Sequence, residues 1–437
     1  MTGTASKVPF PLSDRPRLWG VAVSHYQVEG DDPCDWTDWE AAGRTNGGAC
    51  GRAADSWSRY EEDAGLAGAL GANAFRFSVS WSRVEPRRGE FDDEALERYR
   101  RLVDHLAATG MEPVVTLFHY THPRWFHSGT PWTSPASVEV FSRFAERTAR
   151  ALGPAARVYT ILNEPLVFVL GGFLDGQIPP GIADGRSAAS ALDHLLAAHA
   201  EAAARVRDVT PHAAIGVAHN MMEFVPERRW NPLDRLLANR ADRLYNAGLL
   251  EAFRTGRWNF TIPPFTRFSG RRDDLPGSLD FLGVNCYSRL HLRSPGRTRV
   301  VGDFRYVDRS GRGLTDNGWE IVPEAFERLL RRASSLGLPL LVTENGLADA
   351  ADSRRSRFLE EHAASLERVA ADVPVAGYLH WSLLDNFEWL DGYGPKFGLY
   401  SFDPVTFERR ERPSAQTFRR LGRRFLEGPP APQFTRL

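Results

Sequence analysis

A chain of 437 residues, 42% hydrophobic and 25% charged, has material for a large buried core. Its 54 basic and 55 acidic residues leave a net charge of −1, which argues against nucleic acid or an anionic membrane as a partner. The cysteines, Cys34, Cys50 and Cys286, are odd in number, widely spaced and without a Cys-x-x-Cys pair, so they are read as free thiols. No run is apolar and long enough for a signal peptide or a membrane span, and the expected location is cytoplasmic.

Strand and helix patterns alternate along the chain. The first strand is 18–23, followed by a long Gly-rich loop through Gly51 and a helix at 58–70. A second strand, 73–79, leads to a strongly periodic helix, 92–109, with an acidic start. Strands 113–118, 158–162 and 214–218 precede helices 135–152, 188–208 and 233–254. Strands 281–285, 340–343 and 375–381 precede helices 323–336, 354–371 and 414–426, the first of these after an insertion. Eight such units predict an α/β fold, a (β/α)8 TIM barrel forming a single domain with loop insertions over residues 1–430. A loose Pro-rich stretch begins at Gly428, and 431–437 is a C-terminal tail.

Two strands share one grammar. Thr160-Ile-Leu-Asn-Glu-Pro165 is apolar, then ends in Asn163 and Glu164, and Pro165 blocks continuation of the ladder. Leu340-Leu-Val-Thr-Glu344-Asn-Gly346 does the same far downstream. Either stretch alone could be a helix cap or a salt bridge after an ordinary strand. Active sites of such barrels form at the C-terminal ends of the strands, so the barrel puts Glu164 and Glu344 at one mouth. Other strand ends add Gln27, Arg76, His119-Tyr120, Asn285, Tyr287, Trp381, Glu388 and Trp389. Polar groups that take hydroxyls, beside aromatic faces that stack on C–H surfaces, suit a sugar.

These motifs resemble glycoside hydrolase family 1, the retaining β-glycosidases, from Leu18 to about Asp403. The resemblance rests on Tyr26-Gln-Val-Glu-Gly30, Arg76-Phe-Ser78, the two glutamate stretches and Trp381-Ser-Leu-Leu-Asp-Asn-Phe-Glu-Trp389. It implies Glu164 as general acid/base and Glu344 as nucleophile, with Asn163 holding the sugar 2-hydroxyl. It further implies Gln27, His119, Glu388 and Trp389 on the remaining hydroxyls, Trp381 as the stacking floor, and Arg76 and Tyr287 orienting the nucleophile. Tyr120 and Asn285 are expected to line the substrate site with them. Three departures stand out: Tyr120 where many members have Trp, Cys286 where Tyr is common, and Lys396 where Arg is common. None is expected to touch a catalytic role.

On this reading the substrate is a small β-glycoside, and no cofactor, metal, nucleic acid or membrane partner is expected of a monomer or homo-oligomer. Glu344, beside a guanidinium and a phenol, is expected to stay ionised, and its charge to hold the proton on Glu164. A catalytically silent sugar-binding relative would be expected to lack one glutamate, and a thioglucosidase to replace the acid; this chain keeps both. A predominantly transglycosylating enzyme is the other alternative. The cluster of His119, His122 and His127 lacks helical ligand spacing and is not read as a zinc site. The arginines between Arg409 and Arg424 are read as the solvated face of a closing amphipathic helix.

Overall fold

Eight apolar runs become eight fully or almost fully buried parallel strands: β1 (Leu18–Ala22), β2 (Ala74–Ser78), β3 (Glu112–Phe118), β4 (Val158–Asn163), β5 (Ala214–Asn220), β6 (Phe281–Asn285), β7 (Leu340–Asn345) and β8 (Val375–Trp381). Strands covered on both faces need no polar alternation, which is why these read as nearly continuous hydrophobic runs. The computed structural model describes residues 17–129, 131–262, 266–294 and 303–428. Each strand pairs in parallel with the next, and β8 closes on β1 through Leu18↔Gly377 to Ala22↔Trp381. The result is the predicted closed (β/α)8 barrel. The tail at 431–437 and the residues at the extreme N-terminus lie outside the described residues.

Inside the barrel, Leu18, Ala74, Val114, Val158, Ala214, Phe281, Leu341 and Leu379 form one buried cluster, with one residue from each strand. The interior is therefore a packed core and leaves chemistry to the mouth. The helices cover the outside. The closing helix, Ser414–Glu427, buries Phe418, Leu421 and Phe425, while Arg419, Arg420 and Arg424 pair with Glu411, Glu360 and Glu367. Helix boundaries follow their caps. Asp92 sits outside Asp93–Ala108 and accepts from the backbone of Glu94 and Ala95. Asp184 caps Gly185–Val209 through Ser187, which starts that helix three residues before the predicted 188.

The structure corrects several local expectations. The Gly-rich loop after β1 contains two short helices, His25–Glu29 and Asp35–Ala41. Helices this short gain little from propensity and depend on tertiary packing, here Tyr26 and Trp36 against Trp389. The fifth outer helix is two α-helical pieces, Pro232–Asp242 and Gly248–Thr255, joined by a π-helical turn. Strands Glu223–Pro226, Arg289–Arg293 and Asp303–Arg305 form a separate small sheet beyond the ends of β5 and β6. A hairpin, Arg257–Ile262 with Thr266–Arg271, is also additional to the predicted elements.

Among the described residues, no helix is long and apolar enough to cross a membrane. Cys34, Cys50 and Cys286 are free and buried.

Candidate active site

Asn163 ends β4, and Glu164 is the first residue beyond it, in the left-handed region at φ 46°. Pro165 then opens a short helix, so the chain turns sharply and leaves the carboxylate at the barrel mouth. Glu344 lies inside β7, where a register shift against β6 lets its side chain join the same mouth. Gly346 follows because the backbones are crowded there. A Cβ at 346 would lie 1.8 Å from the Trp381 carbonyl oxygen. Glu164 and Glu344 are both buried.

Their partners differ. The buried Arg76 guanidinium reaches Glu344 Oε1 at 2.5 Å, the Thr343 carbonyl at 3.2 Å and Asn163 Oδ1 at 2.7 Å. Its Nε donates to Thr116 at 3.1 Å, so four bonds fix its plane. Tyr287 donates to Glu344 Oε2 at 2.7 Å. Among the described residues, the donors to Glu164 are all neutral. Asn285 and Asn220 reach Oε1 at 2.7 and 2.9 Å, and the Tyr120 hydroxyl donates to Oε2. Asn285 also donates to Asn163 at 3.1 Å and accepts from Thr343 at 2.6 Å, which ties β4, β6 and β7 together.

The electrostatics depart from the expectation of a simply ionised nucleophile. Burial pushes the Glu344 carboxyl up to about 7; the Arg76 charge opposes this, the nearby Glu164 adds to it, and the Tyr287 hydrogen bond opposes it. The direct contact with an ever-charged guanidinium favours the ionised form of Glu344. Burial raises the Tyr287 phenol well above its ordinary range, and it remains a donor. Burial, with Arg76 next, holds the His119 imidazole well below its usual range and hence neutral.

An aromatic and polar wall completes the mouth. Trp381 at the end of β8 donates to Glu388 at 3.1 Å. His119 lies face-on to both Trp381 and Trp389, with centroids 6.1 Å apart in each case. Burial pushes the half-buried Glu388 carboxyl up to about 8 against the Trp381 hydrogen bond, with the Glu344 charge adding to the rise. Gln27 is locked at both ends, donating to Asn386 at 2.9 Å and accepting from Ser24 at 2.7 Å. It joins the wall through Asn386, on the loop that carries Glu388.

Gln27, Arg76, His119, Tyr120, Asn163, Glu164, Asn285, Tyr287, Glu344, Trp381, Glu388 and Trp389 thus share one linked constellation. One expectation needs correction: the Tyr120 departure is expected to touch no catalytic role, yet its hydroxyl donates to Glu164. Asn220, backed by Tyr245 at 2.8 Å, was not anticipated. It is a strand-end amide like the others, and the fifth strand runs two residues beyond the expected 218 to reach it. His122 pairs with Asp35 at 2.7 Å. Among the described residues no group of three or more His, Cys, Asp or Glu side chains is placed to hold a metal ion.

The sequence matches the model of glycosyl hydrolase family 1 over residues 13–424. The β-glucosidase A of Thermotoga maritima is 30% identical over 422 residues, covering 90% of this chain and 93% of that protein. A β-galactosidase of Pyrococcus woesei is 28% identical over 491 residues, covering 92% and 96%. The solved β-glycosidase from Pyrococcus horikoshii superposes with a TM-score of 0.86 at 32% identity, with 94% of each chain covered. The chain belongs to glycosyl hydrolase family 1 and is a glycoside hydrolase.

Proposed function

We propose that the protein is a retaining, exo-acting β-glycosidase that cleaves small β-glucosides and also accepts galactosides or fucosides. The observation that carries this reading is the unequal pairing of the two mouth carboxylates. Glu344 touches a fixed cation, while Glu164 touches only amides and a phenol. The names of the similar proteins, a β-glucosidase and a β-galactosidase, support the substrate class.

In the first step a Glu344 oxygen attacks the anomeric carbon, and the bond to the leaving oxygen breaks. The proton of Glu164 passes to that oxygen, and the aglycone departs as an alcohol. Arg76 and Tyr287 hold Glu344 in one orientation for the attack. Once esterified, Glu344 has lost its charge, so Glu164 ionises more readily. It then removes a proton from water, which attacks the same carbon and breaks the ester. Two inversions return the β anomer. Trp381 supplies the stacking floor, and Asn163, His119, Gln27, Glu388 and Trp389 orient the hydroxyls.

The test is release of aglycone from aryl β-glucoside, β-galactoside and β-fucoside, with the first-formed sugar anomer read by NMR. β-Sugar is expected. An α-sugar as first product would overturn the retaining mechanism, and release from none of the three would favour a silent sugar binder.

A further inference from the structure

We propose that Tyr120 is a positioning residue for the acid/base: it steadies Glu164 in its ionised form and so sets the pH above which the enzyme loses its acid. The inference rests on Glu164 being the acid/base. Its basis is geometric. The Tyr120 hydroxyl donates to Glu164 Oε2, the oxygen that Asn220 and Asn285 leave unused, since both amides reach Oε1. Among the described residues no cation is bonded to Glu164, and the proposal assigns the steadying of its charged form to these three neutral donors.

The ring is held for this task. It stands edge-on to Trp389 at 5.2 Å, lies face-on to Phe168 at 6.4 Å and meets His119 at 5.4 Å. Its backbone is in the left-handed region at φ 70°, an uncommon conformation for an aromatic residue, kept where the surroundings over-determine it. Burial, with the Glu164 charge next, raises the phenol well above its ordinary range, so it remains protonated at any working pH. It therefore donates to Glu164, and the ionised carboxylate holds that bond more strongly than the neutral acid would. The hydroxyl thus favours the base form needed in the second step at the expense of the acid form needed in the first.

The other groups around Glu164 come from several elements. Glu344 on β7, Tyr287 beyond β6 and Tyr245 behind Asn220 couple to its charge, Arg76 on β2 connects to it through Asn163 and Asn285, and His119 at the end of β3 is neutral. Removing the Tyr120 hydroxyl leaves all of them in place.

The experiment is the pH profile of kcat/KM on an alkyl β-glucoside for the wild type, Tyr120→Phe and, as a second variant should the first not fold, Tyr120→Trp. Loss of a hydrogen bond to a charged group should move the alkaline limb up by about one pH unit. KM should change little. In a Glu164→Ala background, Tyr120→Phe should have no further effect on glycosylation by a dinitrophenyl glucoside. An unmoved limb in a folded variant, or a raised KM that persists without Glu164, overturns the proposal and makes Tyr120 a sugar contact. If the loss in Glu164→Ala does not grow as the leaving group becomes more basic, the acid/base assignment itself fails. If that dependence holds and the limb stays put, only the role of Tyr120 fails.

Discussion

The β4 and β7 sides of the barrel mouth carry the same functional group in opposite settings. On the β7 side, Glu344 is clamped by a guanidinium and a phenol that take one oxygen each. On the β4 side, Glu164 receives amides on one oxygen and a phenol on the other. Burial pushes the Glu344 carboxyl toward its neutral form, and the Arg76 charge opposes this. Among the described residues the difference is a fixed positive charge against the β7 glutamate, and that charge favours the ionised form of Glu344. On the proposed mechanism, these two settings suit the two glutamates to two different tasks.

The comparison breaks most sharply if the glutamates are removed. On the proposed mechanism Glu344→Gly deletes the atom that forms the glycosyl-enzyme, and activity on every β-glycoside should fall by roughly 10⁴-fold or more. Azide added to this variant should attack directly and give the α-glycosyl azide. Glu164→Ala should lose about 10²–10⁴-fold on alkyl glycosides yet retain the first step on dinitrophenyl ones, giving a burst. Azide should then attack the intermediate and give the β-glycosyl product. The anomer of each azide adduct is the measurement; exchanged anomers would reverse the two roles.

A smaller effect isolates the fixed charge. Arg76→Met leaves Glu344 buried without its cation. Burial and the Glu164 charge would then raise its carboxyl further above 7. Because Glu344 must be ionised to attack, the acid limb of kcat/KM should move to higher pH, and the rate at neutral pH should fall by about 10²-fold. A lower rate with an unmoved limb would mean that Arg76 contributes only geometry.

The smallest effect concerns stability. The Glu388 carboxyl is pushed up to about 8 in the fold from an ordinary value of 4.5. The folded state therefore binds this proton more tightly than the unfolded chain does. Its contribution to stability is complete below the ordinary value and is lost as pH rises toward 8. Glu388→Gln cannot ionise, so its Tm should exceed that of the wild type at about pH 8 by roughly 1–3 °C, with the gap closing near about pH 5, while turnover falls. The same Tm difference at both pH values would show that the gain has another origin.

Legibility in the sequence followed physical locality. All eight barrel strands were visible because burial on both faces writes itself as an apolar run. Glu164 and Glu344 were visible because each interrupts such a run at its end. Asn220 was missed because its strand continues through His219, which has no apolar signature. The short helices His25–Glu29 and Asp35–Ala41 read as a glycine-rich loop because their stability comes from partners remote in sequence.

The sequence by itself determined the barrel, the two glutamates and the kind of groups around them, since each is encoded in a periodicity or a short contiguous motif. Tertiary structure alone decided which donor meets which oxygen. Tyr120 and Glu164 are 44 positions apart, and Arg76 and Glu344 are 268 apart. Hydrogen bonds of that range depend on strand register and on left-handed backbone turns at Tyr120 and Glu164, which no local pattern specifies.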